Sequence, residues 1–226
     1  YLTLPAKGAN NSLGANKTLI IDGIVPTVTN VSSTASDGYY ILGDVIPVTV
    51  TFSEEVTVTG TPQLKLETDT TDALVNYSSG SGGSTLTFNY TVSVGDITSD
   101  LDYNSTTSLL VNNGTVKDAA GNNADVSLVS PGNRNSLGAN KALVIDGLVP
   151  IVSSISSSST DGYYNEGDTL VITVSFSEAV TVTGTPKLTL ETGATDAVAN
   201  YTSGSASSVL TFRYVVTSGN NSSDLD

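Results

Sequence analysis

Acidic side chains are the only residues of this chain whose type and spacing could carry chemistry. Eight of them return at a constant offset of 124 residues: Asp22, Asp37, Asp44, Glu54, Glu67, Asp72, Asp100 and Asp102 recur as Asp146, Asp161, Asp168, Glu178, Glu191, Asp196, Asp224 and Asp226. Three others do not, since Ala179, Gly193 and Asn220 stand where Glu55, Asp69 and Asp96 would repeat. Histidine and cysteine are absent, so zinc and copper lack their usual ligands and a nucleophilic triad lacks its base. Hard oxygen donors remain. They suit Ca²⁺, which gathers about six to eight oxygens at about 2.3–2.6 Å.

The elements that must position these acids are strands. Apolar residues alternate in short runs rich in Val and Thr, with no helical periodicity. Thr27–Ser33 predicts a first strand, and Val45–Phe52 a second with Ile46, Val48, Val50 and Phe52 on its core face. After Ser53-Glu54-Glu55 a short VTV run follows, then Gln63–Thr68 with Leu64 and Leu66 inward, and then Ala73–Tyr77. The Ser/Gly stretch Ser78–Ser84 reads as a flexible loop. Thr85–Val94 sets Leu86, Phe88, Tyr90 and Val92 on one face. Asn112-Asn113-Gly114 predicts a hairpin turn between Leu109–Val111 and Val116, and Val126–Val129 and Ala142–Ile145 close the set. Short antiparallel strands with turns about every 8–12 residues predict an all-β sandwich.

Alternating strand direction sorts the acids between two poles. Asp22, Glu54 and Asp118, with Asn122 nearby, fall at the upper pole, where a preceding module would join. At the next joint Asp146 and Glu178 would meet lower-pole acids of the first module, with Asp100 and Asp102 as the candidates. Carboxylates converging without a cation would repel, so calcium at these joints is the expected cofactor. The alternative is that the acids are solvated loop caps, turn formers and solubility charges, which is the better reading for Asp37 and Asp161, each followed by Gly.

Other candidates carry less. Tyr39-Tyr40 and Tyr163-Tyr164 offer a stacking platform for sugars but equally pack beside a turn. A glycosidase pair repeated in every module, with no insertion loop to shape a cleft, is unexpected. Lys17 and Lys141 lie in a polar turn, which weakens any intramolecular amide to Asn. Asn-x-Ser/Thr sequons such as Asn30, Asn76 and Asn104 permit glycosylation in a chain this rich in Ser and Thr. Outward-facing strand threonines account for VTVTGT at 56–61 without an ice-binding role.

The offset is a tandem repeat. NSLGANKTLIIDGIVP at Asn11–Pro26 returns as NSLGANKALVIDGLVP at Asn135–Pro150, and 57 of the 92 positions from Asn11 to Asp102 are identical in the overlay, with no gap. The organisation expected is 1–23 as the C-terminal strands of a preceding repeat, 24–147 as one complete repeat, and 148–226 as a truncated one. The chain would thus begin and end inside modules. The missing counterpart of Tyr103–Gly147 would leave sheet edges open unless neighbours cover them or the chain continues. Net charge is −14 with eight basic residues, which argues against nucleic acid, and no apolar run is long enough to insert in a membrane.

DGIVPTV (22–28), VTFSEEVTVTGTP (50–62) and VKDAAGN (116–122) together resemble the bacterial immunoglobulin-like repeats of large secreted adhesins and biofilm-associated surface proteins. The resemblance implies an immunoglobulin-like sandwich strung into a stiff extracellular rod on a prokaryotic cell surface, often with calcium at its joints. The function expected is a non-catalytic stalk segment whose partners are neighbouring repeats of the same protein. The alternatives are a glycan- or protein-binding module, and a filament subunit whose copies pair strand to strand.

Overall fold

The computed structural model describes residues 2–226; Tyr1 lies outside the described residues. Two compact units divide the chain, one ending at Leu148 and the other starting at Val149. In the first, α1 (Leu13–Asn16) precedes β1 (Val28–Ser33), β2 (Gly38–Ile41), β3 (Val45–Thr59), β4 (Gln63–Leu66), β5 (Ala73–Ser79) and β6 (Gly83–Thr91). Then come β7 (Ile97–Thr98), β8 (Leu109–Leu110), β9 (Thr115–Lys117), α2 (Leu137–Asn140) and β10 (Leu143–Asp146). The second unit holds β11 (Val152–Ser157), β12 (Thr169–Val180), β13 (Lys187–Leu190), β14 (Ala197–Ser203) and β15 (Ser207–Val215).

The alternating apolar pattern dictates the core. Ile46, Val48, Val50 and Phe52 on β3 are buried, as are Leu64 and Leu66 on β4 and Leu86, Phe88 and Tyr90 on β6. The main sheet runs β1-β3-β6-β5-β4-β8, with β9 also on β3; β2-β10-β7 forms a small second sheet. The second unit repeats the main sheet as β11-β12-β15-β14-β13. The architecture is an immunoglobulin-like sandwich of largely antiparallel strands.

The structure departs from the sequence reading in five places. The VTV run is no separate strand: β3 continues through Glu54 and Glu55, and its pairing with β6 shifts register between Thr51 and Val56. The Ser/Gly stretch is a tight turn, with strand up to Ser79 and again from Gly83, and Ser81 N–H donates to the Tyr77 hydroxyl at 2.8 Å. Asn112 and Asn113 both take positive φ, as the hairpin turn requires. Yet β8 and β9 diverge, one pairing with β4 and the other with β3. Not every pair is antiparallel, because β10 runs parallel to β2 in register from Leu143↔Gly38 to Asp146↔Ile41. Finally, Leu19–Asp22 and Val126–Val129 form no strand. No described strand lies beside Leu19–Asp22, and a lone strand leaves its backbone hydrogen bonds unmade.

Candidate functional site

Asp22, Glu54 and Asp118 each place a carboxylate oxygen within 4.8 Å of the other two. Three different local structures bring them there. Asp22 caps the turn entering the first strand, its Oδ1 accepting from Ile24 N–H at 3.0 Å. Glu54 sits on β3 where the register shifts. Asp118 follows β9 directly, and its Oδ1 accepts from the N–H groups of Gly121 and Asn122 at 2.7 and 2.8 Å. That pattern is the reason an Asp stands four residues before Asn in VKDAAGN: a carboxylate satisfies the donors of a tight loop.

Asn122 ties the cluster together. Its Nδ2 donates to Asp118 Oδ2 at 2.7 Å and lies 3.2 and 3.1 Å from the carbonyl oxygens of Asp22 and Ile24. The sequence reading counted Asn122 as a metal ligand. The structure turns its amide nitrogen to Asp118 and to the two carbonyls, which ties the entry segment to the Asp118 loop. Among the described residues, Glu54 Oε1 is the buried side-chain oxygen with no hydrogen-bond partner. Burial, and then the charges of Asp22 and Asp118, push the Glu54 carboxyl above its ordinary value. Asp118 goes the other way. Burial alone would raise it, but the hydrogen bonds from Asn122, Gly121 and Ala120 outweigh that and hold it low.

Within the first unit, Asp100, Asp102 and Asp146 are not part of this cluster. Among the described residues Asp100, Asp102 and Asp146 do not form a three-carboxylate group. Asp102 spends its oxygens on Tyr103 N–H at 2.9 Å and Gly132 N–H at 3.0 Å. Asp100 lies beside it across Gly138, raised chiefly by burial, against a Leu143 N–H bond, and further by the charges of Asp102 and Asp37. Asp146 ends β10, its Oδ1 accepting from Leu148 N–H at 3.2 Å as Asp22 does from Ile24. Glu178 lies on β12 of the second unit.

Sequence reasoning missed two polar contacts. Lys141 Nζ stands 2.9 Å from Asp37 Oδ1, and Ala142 N–H donates to the same oxygen at 3.2 Å. Lys65 pairs with Asp72, which also accepts from Asn104 Nδ2 at 2.7 Å. Alternation was the available signal for the second, because Lys65 points away from the core between Leu64 and Leu66. Tyr39 and Tyr163 are exposed, whereas Tyr40 donates its hydroxyl to the Ser36 carbonyl at 2.6 Å.

No helix among the described residues is long and apolar enough to cross a membrane. No curated protein and no solved structure matches the chain. A family profile described as the bacterial Ig-like domain matches residues 15–130, more than half of the sequence and most of the first unit. The chain belongs to the bacterial Ig-like domain family.

Proposed function

We propose that this chain is a non-catalytic extender segment of an extracellular adhesin or fibre, with Ca²⁺ held by Asp22, Glu54 and Asp118. Family membership supports a surface-protein module, since bacterial Ig-like domains occur in surface proteins and are typically structural. The extender role is supported by the near-duplication of one unit by the next, because a spacer needs copies while a binding site needs a specialised one.

The donor set fits the ion. All three groups are hard oxygens, and Glu54 Oε1 is buried without a partner on a carboxyl that burial and the charges of Asp22 and Asp118 push up. That oxygen is the observation carrying the metal reading: its desolvation is uncompensated by any protein donor, and a cation would compensate it. Asp22 would be the ligand contributed by the segment that leads into β1, while Glu54 and Asp118 belong to the body of the unit. A bound ion would therefore fasten the entry segment to the sandwich and stiffen the joint. The pair recurs in sequence as Asp146 and Glu178.

Calcium titration of the whole chain tests this by calorimetry and by thermal melts with and without chelator. The expectation is saturable binding and a higher melting temperature with Ca²⁺, both lost in Glu54→Gln. Equal melts in calcium and chelator, with no heat of binding, would overturn the metal reading.

A further inference from the structure

The turn Val111–Gly114 joins two strands that go to different partners: β8 before it pairs with β4, and β9 after it pairs with β3. Gly114 N–H donates to Val111 O at 2.8 Å and closes the turn. Asn112 and Asn113 occupy its centre at φ 46° and 60°, in the left-handed region that asparagine enters more readily than most residues. The two amides are used differently. Asn112 Nδ2 donates to Thr61 O at 3.2 Å, whereas the exposed Asn113 side chain has no hydrogen-bond partner among the described residues.

Asn113 is also the one asparagine of the chain that a glycine follows. An asparagine carboxamide can close a five-membered ring with the main-chain nitrogen of the next residue, and a glycine there has no Cβ to shield that nitrogen. Every other asparagine precedes a residue with a side chain. Several of those amides are also held in place. Asn104 lies between Asp72 and Ser108, Asn122 donates to Asp118, and Asn140 donates to Asn30 and to the Val31 carbonyl.

We infer that Asn113 is a site of spontaneous self-modification, where the Gly114 nitrogen displaces the side-chain amide as ammonia and the turn is converted to aspartate and isoaspartate. The Gly114 nitrogen gives its proton to solvent base and bonds to Asn113 Cγ. The Cγ–Nδ2 bond breaks, Nδ2 takes up a proton from solvent and leaves as ammonia, and a succinimide ring remains. Water then adds to one of the two ring carbonyls and breaks its bond to nitrogen. Opening at Cγ gives aspartate in an ordinary main chain. Opening at the main-chain carbonyl gives isoaspartate, with the side-chain methylene inserted into the backbone. The sum is one water in and one ammonia out.

The bond to Val111 restrains the attacking nitrogen, so the reaction waits on local opening of the turn and runs slower in the folded chain than in a free peptide. What packs on the turn sets the consequence. A Cβ on Gly114 would collide with Thr59 O, and one on Gly60 would stand 2.9 Å from Gly114 Cα, so no slack exists for an extra main-chain atom. Directly beyond, the hydroxyls of Thr59 and Thr115 meet at 2.8 Å, and β9 pairs with β3 from Thr115↔Thr59 to Lys117↔Thr57. Isoaspartate therefore pushes β9 out of register and weakens the first unit. The inference goes beyond the extender reading and needs no calcium.

Ageing of the whole folded chain in chelator and mildly alkaline buffer, followed by mass spectrometry of the intact chain and of its fragments, tests it. The fragment holding Asn113 should gain about 1 Da before any other asparagine reacts, as a mixture of aspartate and isoaspartate, and more slowly in mildly acidic buffer. A peptide of residues 109–117 should convert several-fold faster than the folded chain. Asn113→Gly suits the positive φ, so the turn still forms, and it should abolish the gain. The aged parent chain should melt lower than the fresh one, while aged Asn113→Gly should melt as it did at the start. A folded chain that keeps Asn113 intact after the peptide has fully converted would overturn the inference. So would another asparagine reacting first, a gain that persists in Asn113→Gly, or a converted chain that melts like the fresh one.

Discussion

Tyr90 donates its hydroxyl to Oδ2 of Asp96 at 2.7 Å, inside the first unit where both residues are buried. The second unit keeps the contact and changes the acceptor: Tyr214 donates to Oδ1 of Asn220 at 2.8 Å. Each acceptor also takes a backbone N–H, from Ser93 at 2.8 Å and from Thr217 at 2.9 Å. The fold therefore requires an oxygen at this point, not a charge. Asp96→Asn should leave the melting temperature nearly unchanged. Asp96→Ala strands a buried hydroxyl and an N–H and should cost about 1–3 kcal/mol, measured by urea unfolding.

Acid should weaken the first unit through Asp37 and Asp72. The hydrogen bond from Lys141, then that of Ala142 N–H, holds Asp37 below the ordinary carboxylate value, and Lys65 does the same for Asp72, in each case against burial. A carboxyl lowered in the folded state contributes stability that is present above its unfolded value and lost as pH falls through the folded one. The window thus opens near the ordinary carboxylate value of 3.8 and extends below it. Asp37→Asn and Asp72→Asn should each lower the melting temperature at neutral pH. Each should also flatten its decline between about pH 4 and pH 2. A decline as steep as in the parent chain would refute the assignment.

Glu54 should respond to substitution with opposite signs in the two metal conditions. Its carboxyl is raised by burial and by two neighbouring acids, so in chelator Glu54→Gln removes an unfavourable charge and should raise the melting temperature. With Ca²⁺ at about 100 times its dissociation constant the parent chain should gain about 2.7 kcal/mol, and the variant should gain nothing. The crossing of the two melting series is the readout.

The turn at Gly80 should tolerate no side chain. Gly80 has φ +112°, and a Cβ there would collide with the carbonyl oxygen of Thr85; Gly204, at φ +110°, faces Val209 in the same way. Gly80→Ala should destabilise by about 1–3 kcal/mol, while Gly82→Ala, with open space around it, should cost less. Paired denaturation curves of the two variants would distinguish them.

Those glycines show where sequence reading stops. Alternation placed Ile46, Val48, Val50 and Phe52 inward because every second side chain of a strand must share a face, and burial follows from that geometry alone. Counting strand reversals put Asp22, Glu54 and Asp118 at one pole for a similar reason. A Ser/Gly composition, by contrast, says only that the backbone is free to choose, and here it takes a tight turn that leaves no room for a Cβ at Gly80 beside the Thr85 carbonyl. The role of Asn122 was equally hidden, since an amide can offer an oxygen or a hydrogen and the sequence does not say which faces the acids. The LGAN helices are too short to leave a periodic signal; the Ser before each is their sole mark.

The parallel alignment of β10 with β2 has a mechanical consequence. Tension applied between the start of β1 and the end of β10 pulls these two neighbours past each other lengthwise, because they run in the same direction and the load enters at opposite ends. Four aligned residue pairs, from Leu143↔Gly38 to Asp146↔Ile41, then carry the strain together, and none can open first like the tooth of a zip. The first unit would resist stretching through that short ribbon, which makes it the fuse of the segment.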